Sequence, residues 1–307
     1  MIVLLESVHP DARAVLETVD EVRVMDDPAT IDADIVRPDV RVILTRGRGR
    51  ITRAVLDEFP GLMVVGRCGA GLDNIDVVAA EERGVAVVNT PGATTAAVAE
   101  HAVMLMLGLA RRLTLLDAAV KDDRWSEREG YLGTELRGKR LGVIGLGAIG
   151  NRIAQLGRAF DMDVVYWSPH SRNEDFTCLE LDDLLTTSDI VQVCIALTDD
   201  TRQLLDERRL NLLRPATLLV NTSRGPVIDH VALCRNLAAG RVAGYATDVW
   251  DPEPPPAEQL AGIADRLLIT PHVAAITDVT YRDICVGAAT AAVDRLTRFS
   301  VAPTPDL

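Results

Sequence analysis

Lysine is almost missing from this chain: of its 32 lysines and arginines only Lys121 and Lys139 are lysine. Acidic residues outnumber the basic ones, and the formal net charge is −13. No basic patch is available to track a phosphate backbone, so a nucleic-acid partner is not expected. Long hydrophobic runs are missing too. The most apolar stretch, Val98 to Ala110, is broken by Glu100 and His101 and is too short to span a bilayer, so no membrane partner is expected. The cysteines (Cys68, Cys178, Cys194, Cys234, Cys285) are odd in number and form no C-x-x-C pair. They read as buried, reduced thiols of a cytoplasmic protein. No zinc or iron motif occurs, and the five histidines place no ligand pair on one helix face, so no metal is expected. Met1 leads straight into the strand-like run Ile2–Leu5 without a targeting pattern. Internal repeats and low-complexity tracts are lacking.

What remains is a soluble globular composition, 48% hydrophobic and 25% charged over 307 residues, enough for two domains. The first ninety residues alternate short aliphatic runs (Ile2–Leu5, Val22–Met25, Val42–Thr45, Met63–Gly66, Ala86–Asn89) with helical patterns such as Ile51–Glu58 and Ile75–Arg83. That alternation predicts a parallel sheet covered by helices. Thr90-Pro-Gly92 breaks the pattern and marks a crossing to a second domain. A helix over Thr95–Arg112 is apolar on nearly every face, which predicts burial in a core and at a subunit interface, hence a homodimer. From Leu141 a second series offers strands at Gly142–Gly145, Val164–Trp167, Ile190–Ile195, Thr217–Asn221, Val242–Thr247 and Leu267–Thr270. A last helix, Asp278 to Phe299, is placed to return to the first domain. The expected fold is α/β, with two Rossmann-like doubly wound domains: a discontinuous one over 1–91 and 276–307, and one over 92–275.

The second series opens on Leu141-Gly-Val-Ile-Gly-Leu-Gly-Ala-Ile-Gly150. An apolar strand runs into glycines at G-x-G-x-x-G spacing, then into a helix. Gly145 permits a tight turn, Gly147 lets the backbone approach a pyrophosphate, and Gly150 lets the helix pack on the strand. The helix start, Ala148 and Ile149, then aims its N–H groups at the phosphates. Three further segments follow later strands: Asn221-Thr222-Ser223-Arg224, Asp248 to Glu253, and Thr270-Pro-His272-Val-Ala274-Ala275. Ligands of such sheets bind outside the carboxyl ends of the strands, so these segments supply the remaining candidate cofactor contacts. Taken singly, a histidine after Thr-Pro is as well explained as a loop cap, an arginine in a glycine-containing loop as a solvated charge, and a glutamate among prolines as surface.

These marks together resemble the D-isomer-specific 2-hydroxyacid dehydrogenases. The match runs through Arg67-Cys-Gly-Ala-Gly-Leu-Asp-Asn-Ile-Asp76, Glu100-His101, the glycine motif, and the Arg224, Glu253 and His272 segments in order. The resemblance implies an NAD(P)-linked oxidoreductase with a split substrate domain, a Rossmann cofactor domain and a cleft between them. It also implies a substrate carboxylate bound by the turn Cys68-Gly69-Ala70-Gly71, chiefly at Cys68, Gly69 and Ala70, as backbone N–H turns bind anions. Chemistry agrees with the trio. A 2-hydroxy acid needs an acid/base near neutrality, which His272 offers. Glu253 would hold the imidazole, and the planar fork of Arg224 would bind carboxylate and carbonyl oxygens. His101, inside the apolar helix, is read as structural, as is Cys68 apart from its backbone; His9, His170 and His230 receive no catalytic role.

An NAD enzyme places an acid at the end of the second strand. Here that end is Tyr166-Trp-Ser168-Pro-His-Ser-Arg172. Ser168 replaces the acid and Arg172 can neutralise a 2′-phosphate, so NADP is favoured over NAD. The expected substrate is a small 2-keto or 2-hydroxy acid of the glyoxylate or hydroxypyruvate type. Arg46-Gly-Arg48-Gly-Arg50 resembles the arginine-bearing loop of phosphoglycerate dehydrogenases, the alternative, although the chain stops at Leu307 with no regulatory domain. A dinucleotide-sensing, corepressor-like binding protein is the alternative of another class, and formate dehydrogenase is a poorer match in length.

Overall fold

The computed structural model describes residues 1–25 and 37–301, without the side chains of Arg37 and of residues 299–301. The parts of the expected first domain at 26–36 and 302–307 lie outside the described residues. The chain divides into two compact units, Met1–Thr94 with the segment from Ile276 onward, and Thr95–Ala275. The first crossing thus falls at 94/95, against the expected 91/92.

The first unit runs β1 (Ile2–Leu4), α1 (Pro10–Glu17), β2 (Val22–Val24), β3 (Val42–Thr45), α2 (Arg53–Asp57), β4 (Val64–Arg67), α3 (Val77–Glu82) and β5 (Ala86–Val88). Its strands pair in parallel in the order β2-β1-β3-β4-β5. β1 and β3 are buried along their whole length, as the central strands of a doubly covered parallel sheet must be. Helices α2 and α3 start later than the expected Ile51 and Ile75, because side-chain caps set their first turns. Thr52 Oγ1 accepts the Val55 N–H at 3.4 Å, and Asp76 Oδ1 accepts the Ala79 N–H at 2.9 Å. Ile51 and Ile75, left outside, pair with each other as a parallel bridge.

The second unit contains α4 (Thr95–Ala110), α5 (Leu113–Lys121), β6 (Arg140–Ile144), α6 (Ala148–Ala159), β7 (Asp163–Trp167), β8 (Thr177–Cys178), α7 (Leu181–Thr187), β9 (Ile190–Val193), α8 (Glu207–Leu210), β10 (Leu218–Asn221), α9 (His230–Ala238), β11 (Gly244–Thr247), α10 (Ala257–Leu260) and β12 (Leu267–Ile269). Among the described residues its sheet is seven-stranded and parallel, in the order β12-β11-β10-β9-β6-β7-β8. The order reverses beside β6, between β6 and β9, and this is the switch point where open α/β sheets bind ligands. One face is packed by α4 and α6, through Ala99, Ala102, Leu105, Met106 and Ile153. Met104 of α4 stays half exposed. Strand β8 was not anticipated, since two residues carry no periodicity. It leaves Cys178 exposed at the sheet edge, and Cys194 and Cys234 are only partly covered, so the expectation of five buried thiols is corrected.

The last helix, α11 (Asp278–Val301), belongs to the first unit. It packs on α1 and β4 through Ile284, Cys285, Ala288, Ala289 and Ala292. Small residues at that contact let the helix axis approach the sheet closely.

Candidate active site

The three glycines after β6 each meet a different constraint. Gly145 has φ +92°, a conformation open to glycine and costly for other residues. A Cβ on Gly150 would lie 2.0 Å from the Gly145 carbonyl oxygen, whereas one on Gly147 would meet nothing within 4 Å. The middle glycine therefore borders open space next to the first N–H groups of α6, which have no intrahelical acceptor. That bare cradle fits a pyrophosphate. Beneath it the Cys194 thiol donates to the Gly145 carbonyl at 3.2 Å. Burial pushes that thiol up to about 12, so it stays protonated and serves the loop as a donor.

At the end of β7, Ser168 Oγ accepts the Ser171 N–H at 3.2 Å. Arg172 folds back over the turn, with Nη1 donating to the Ser168 and Ser171 carbonyls at 2.6 and 2.9 Å. The guanidinium is thereby held at the strand end where an acid was expected and is lacking.

Arg224, Glu253 and His272 follow β10, β11 and β12, three strands adjacent in the sheet. Neighbouring parallel strands deliver all three to one edge. His272 Nδ1 lies 2.9 Å from Glu253 Oε2, and the other carboxylate oxygen accepts the Trp250 N–H at 3.1 Å. Burial raises the Glu253 carboxyl, but the hydrogen bond and charge of His272 outweigh it, and the net position is below the usual carboxylate range. With Nδ1–H given to Glu253, the imidazole presents Nε2 as its proton-handling atom. Arg224 Nη1 donates to the Ser223 carbonyl at 2.7 Å. The next residue, Gly225, rests on the glutamate loop: a Cβ there would be 2.0 Å from the Trp250 carbonyl oxygen.

The other expected cofactor residues shape these loops. Asn221 Oδ1 accepts both the N–H and the hydroxyl of Ser223 at 2.9 Å, and Gln192 Nε2 donates to Thr222 Oγ1 at 3.0 Å. Asp248 is fully buried. Its carboxylate accepts the N–H groups of Val273 at 2.9 Å and Ala274 at 2.8 Å, and its carbonyl accepts the His272 N–H at 2.8 Å. Ala275 follows at the end of the unit. His272 itself has φ +55°, a left-handed conformation that costs a residue with a side chain about 1–2 kcal/mol. The Asp248 bonds on either side hold it there.

In the first unit the expected anion turn is narrowed. The Cys68 N–H already donates to the Thr45 carbonyl at 2.9 Å, and the Gly69 N–H to Thr90 Oγ1 at 3.0 Å. Strand pairing and the Thr90 hydroxyl therefore use up two of the four donors. Among the described residues the N–H groups of Ala70 and of Gly71, the last two of that turn, have no acceptor. The Cys68 thiol donates a hydrogen bond to Cys285, and this together with burial raises it far above the ordinary thiol range, so it packs as a protonated group. Arg46 is tied to Glu6, Nη2 to Oε2 at 3.4 Å, and lies over the Tyr281 ring at 5.3 Å. Glu6 Oε1 also accepts the Arg46 and Arg48 N–H groups at 2.7 and 2.9 Å. Glu6 carried no signal in the sequence; its partners lie about forty residues away.

A family model described as D-isomer specific 2-hydroxyacid dehydrogenase, NAD binding domain, matches residues 103–274. A D-3-phosphoglycerate dehydrogenase from Archaeoglobus fulgidus is 37% identical over 245 residues, which cover 78% of this chain and 46% of that protein. The chain spans about half the length of the phosphoglycerate dehydrogenases it matches. A glyoxylate reductase from Aeropyrum pernix is 37% identical over 267 residues, 83% of this chain and 78% of that protein. The solved structure of an NADPH-dependent glyoxylate/hydroxypyruvate reductase from Sinorhizobium meliloti, in complex with NADP and malonate, superposes with a TM-score of 0.86 at 29% identity, covering 98% of this chain and 93% of that one. Motifs, strand order and these likenesses agree, and the chain belongs to the D-isomer specific 2-hydroxyacid dehydrogenase family.

Proposed function

We propose that this chain reduces a small 2-keto acid of the glyoxylate or hydroxypyruvate type, or oxidises the matching 2-hydroxy acid, with NADPH/NADP as coenzyme. The observation that carries the reading is the 2.9 Å contact between His272 Nδ1 and Glu253, at the sheet edge shared with Arg224. Nε2 of His272 gives a proton to the carbonyl oxygen in reduction and takes it from the hydroxyl in oxidation. Glu253 keeps the imidazole in one orientation through its contact with Nδ1. Arg224 binds the carboxylate and polarises the carbonyl through its two-pronged guanidinium. The nicotinamide, when bound, supplies or accepts the hydride; Gly145, Gly147, Ala148, Ile149 and Gly150 would hold its pyrophosphate.

The NADP preference rests on Ser168 and the tethered Arg172. Initial rates with glyoxylate, hydroxypyruvate and phosphohydroxypyruvate, each with NADPH and NADH, test both parts. Turnover of the first two with NADPH is expected. In Ser168→Asp the new carboxylate faces the 2′-phosphate, and kcat/KM for NADPH is expected to drop about tenfold or more, the factor that 1.4 kcal/mol gives. A wild-type preference for NADH overturns the coenzyme choice. Tight coenzyme binding with no turnover of any 2-keto acid overturns the enzyme in favour of a dinucleotide sensor.

The reading includes a homodimer in the cytoplasm. Leu113, Val120, Trp125 and Leu132 are exposed large apolar side chains within twenty residues of the second unit, and grouped exposure of this kind marks an interaction surface. The five free thiols suit a reducing compartment. Light scattering is expected to give twice the chain mass of 33.2 kDa; the single mass at micromolar concentration removes the dimer.

A further inference from the structure

His101 projects from α4 toward the loop that carries the acid/base. Its Nε2 is 2.9 Å from Thr270 Oγ1 and 3.5 Å from Asp248 Oδ1. Thr270 Oγ1 is in turn 2.6 Å from Asp248 Oδ1. Asp248 accepts two backbone N–H groups, so its carboxylate acts here as an acceptor and the Thr270 hydroxyl is the donor to it. The hydroxyl oxygen is then left to accept, which fixes the proton of His101 on Nε2. The result is one directed chain of hydrogen bonds: His101 to Thr270, Thr270 to Asp248, and Asp248 from the main chain of Val273 and Ala274. Its far end grips the residues just after His272, whose own N–H is held by the Asp248 and Thr270 carbonyls at 2.8 and 3.1 Å. Side chains in such chains polarise one another, and a network with every member satisfied rigidifies its surroundings.

We propose that His101 is a positioning residue for His272. It makes no contact with the reacting groups. It orders the Thr270 hydroxyl, which completes the Asp248 clamp and keeps His272 in the left-handed backbone conformation that lets Nδ1 meet Glu253. The proposal rests on the acid/base role assigned to His272 above. It also replaces the sequence reading of His101 as merely structural, because its partners all belong to the His272 loop and its anchor.

Two full-length variants test it. His101→Leu removes the donor, and His101→Gln keeps an amide N–H at nearly the same reach. In His101→Leu, amide hydrogen exchange over residues 270–275 is expected to speed up about tenfold, and kcat to fall by a similar factor, from the loss of one buried hydrogen bond. The keto-acid KM and the NADPH Kd should stay within about twofold. His101→Gln should recover most of both losses. Unchanged exchange at 270–275 overturns the proposal. So does faster exchange spread through the whole second unit, which would mean general loosening, and so does a glutamine variant as impaired as the leucine one. If the wild-type chain turns over no 2-keto acid, the functional reading fails, and the exchange data still decide the positioning role.

Discussion

Replacing His272 by glutamine is expected to lower kcat by about 10²–10⁴-fold, the range that one general acid/base contributes. The variant should keep its melting temperature and its affinity for NADPH. Glutamine can still offer an amide N–H toward Glu253, so the loop keeps a partner, but no atom at the Nε2 position can give or take a proton. The imidazole is about half exposed, so its removal leaves no buried void. Steady-state rates, thermal melting and a fluorescence titration with NADPH read the three quantities separately. Turnover at the wild-type rate would remove His272 from the chemistry. The companion carboxyl sets the acid side. Glu253 is held below its ordinary value of 4.5, so its pairing with His272 is present above that value and is lost only as pH falls through the lowered one. A loss of activity that sets in well above pH 4.5 therefore has another cause.

The second large effect is at the glycine turn. Gly150→Ala would place a methyl group 2.0 Å from the Gly145 carbonyl oxygen and 3.0 Å from Cys194 Sγ. The backbone atom cannot yield cheaply, so α6 must back away from β6, and overpacking of this kind costs about 1–3 kcal/mol or more. The expected result is a lower melting temperature together with loss of NADPH binding by about 100-fold, or no folded protein. Gly147→Ala keeps the test decisive if Gly150→Ala fails to fold. Its added carbon meets no protein atom, so stability should hold while NADPH binding falls, because the space it fills is the approach to the phosphates. Two alanines, three residues apart, thus separate a packing role from a ligand role. A Gly147→Ala protein that binds NADPH as the wild type does would place the pyrophosphate elsewhere.

Much of this was legible in the residues alone. The three glycine roles follow from spacing, because a strand–turn–helix leaves each position one geometry. Arg224, Glu253 and His272 reach a common edge because parallel strands all end on the same side. What the sequence hid lies in contacts between distant segments. His101 and Thr270 are 169 positions apart, and an isolated histidine in an apolar helix shows no partner. Gly69 gives its N–H to Thr90, 21 residues on, which local motif reading assigns to a ligand. Glu6 pairs with Arg46, the first arginine of the cluster that resembles the arginine-bearing loop of phosphoglycerate dehydrogenases. Helix starts shifted by two residues where a cap, Thr52 or Asp76, took precedence over the apolar period.

The seat of Gly225 on the Trp250 carbonyl reaches beyond packing. Main chain lies against main chain there, with no side chain between to act as a spacer, so the segments bearing Arg224 and Glu253 have no adjustable gap. Descendants of this chain that acquire a taste for a bulkier or more polar acid have little room to do so by sliding those two segments apart. Their variation would have to accumulate in residues that touch the substrate's tail, while the reacting centre stays as it is.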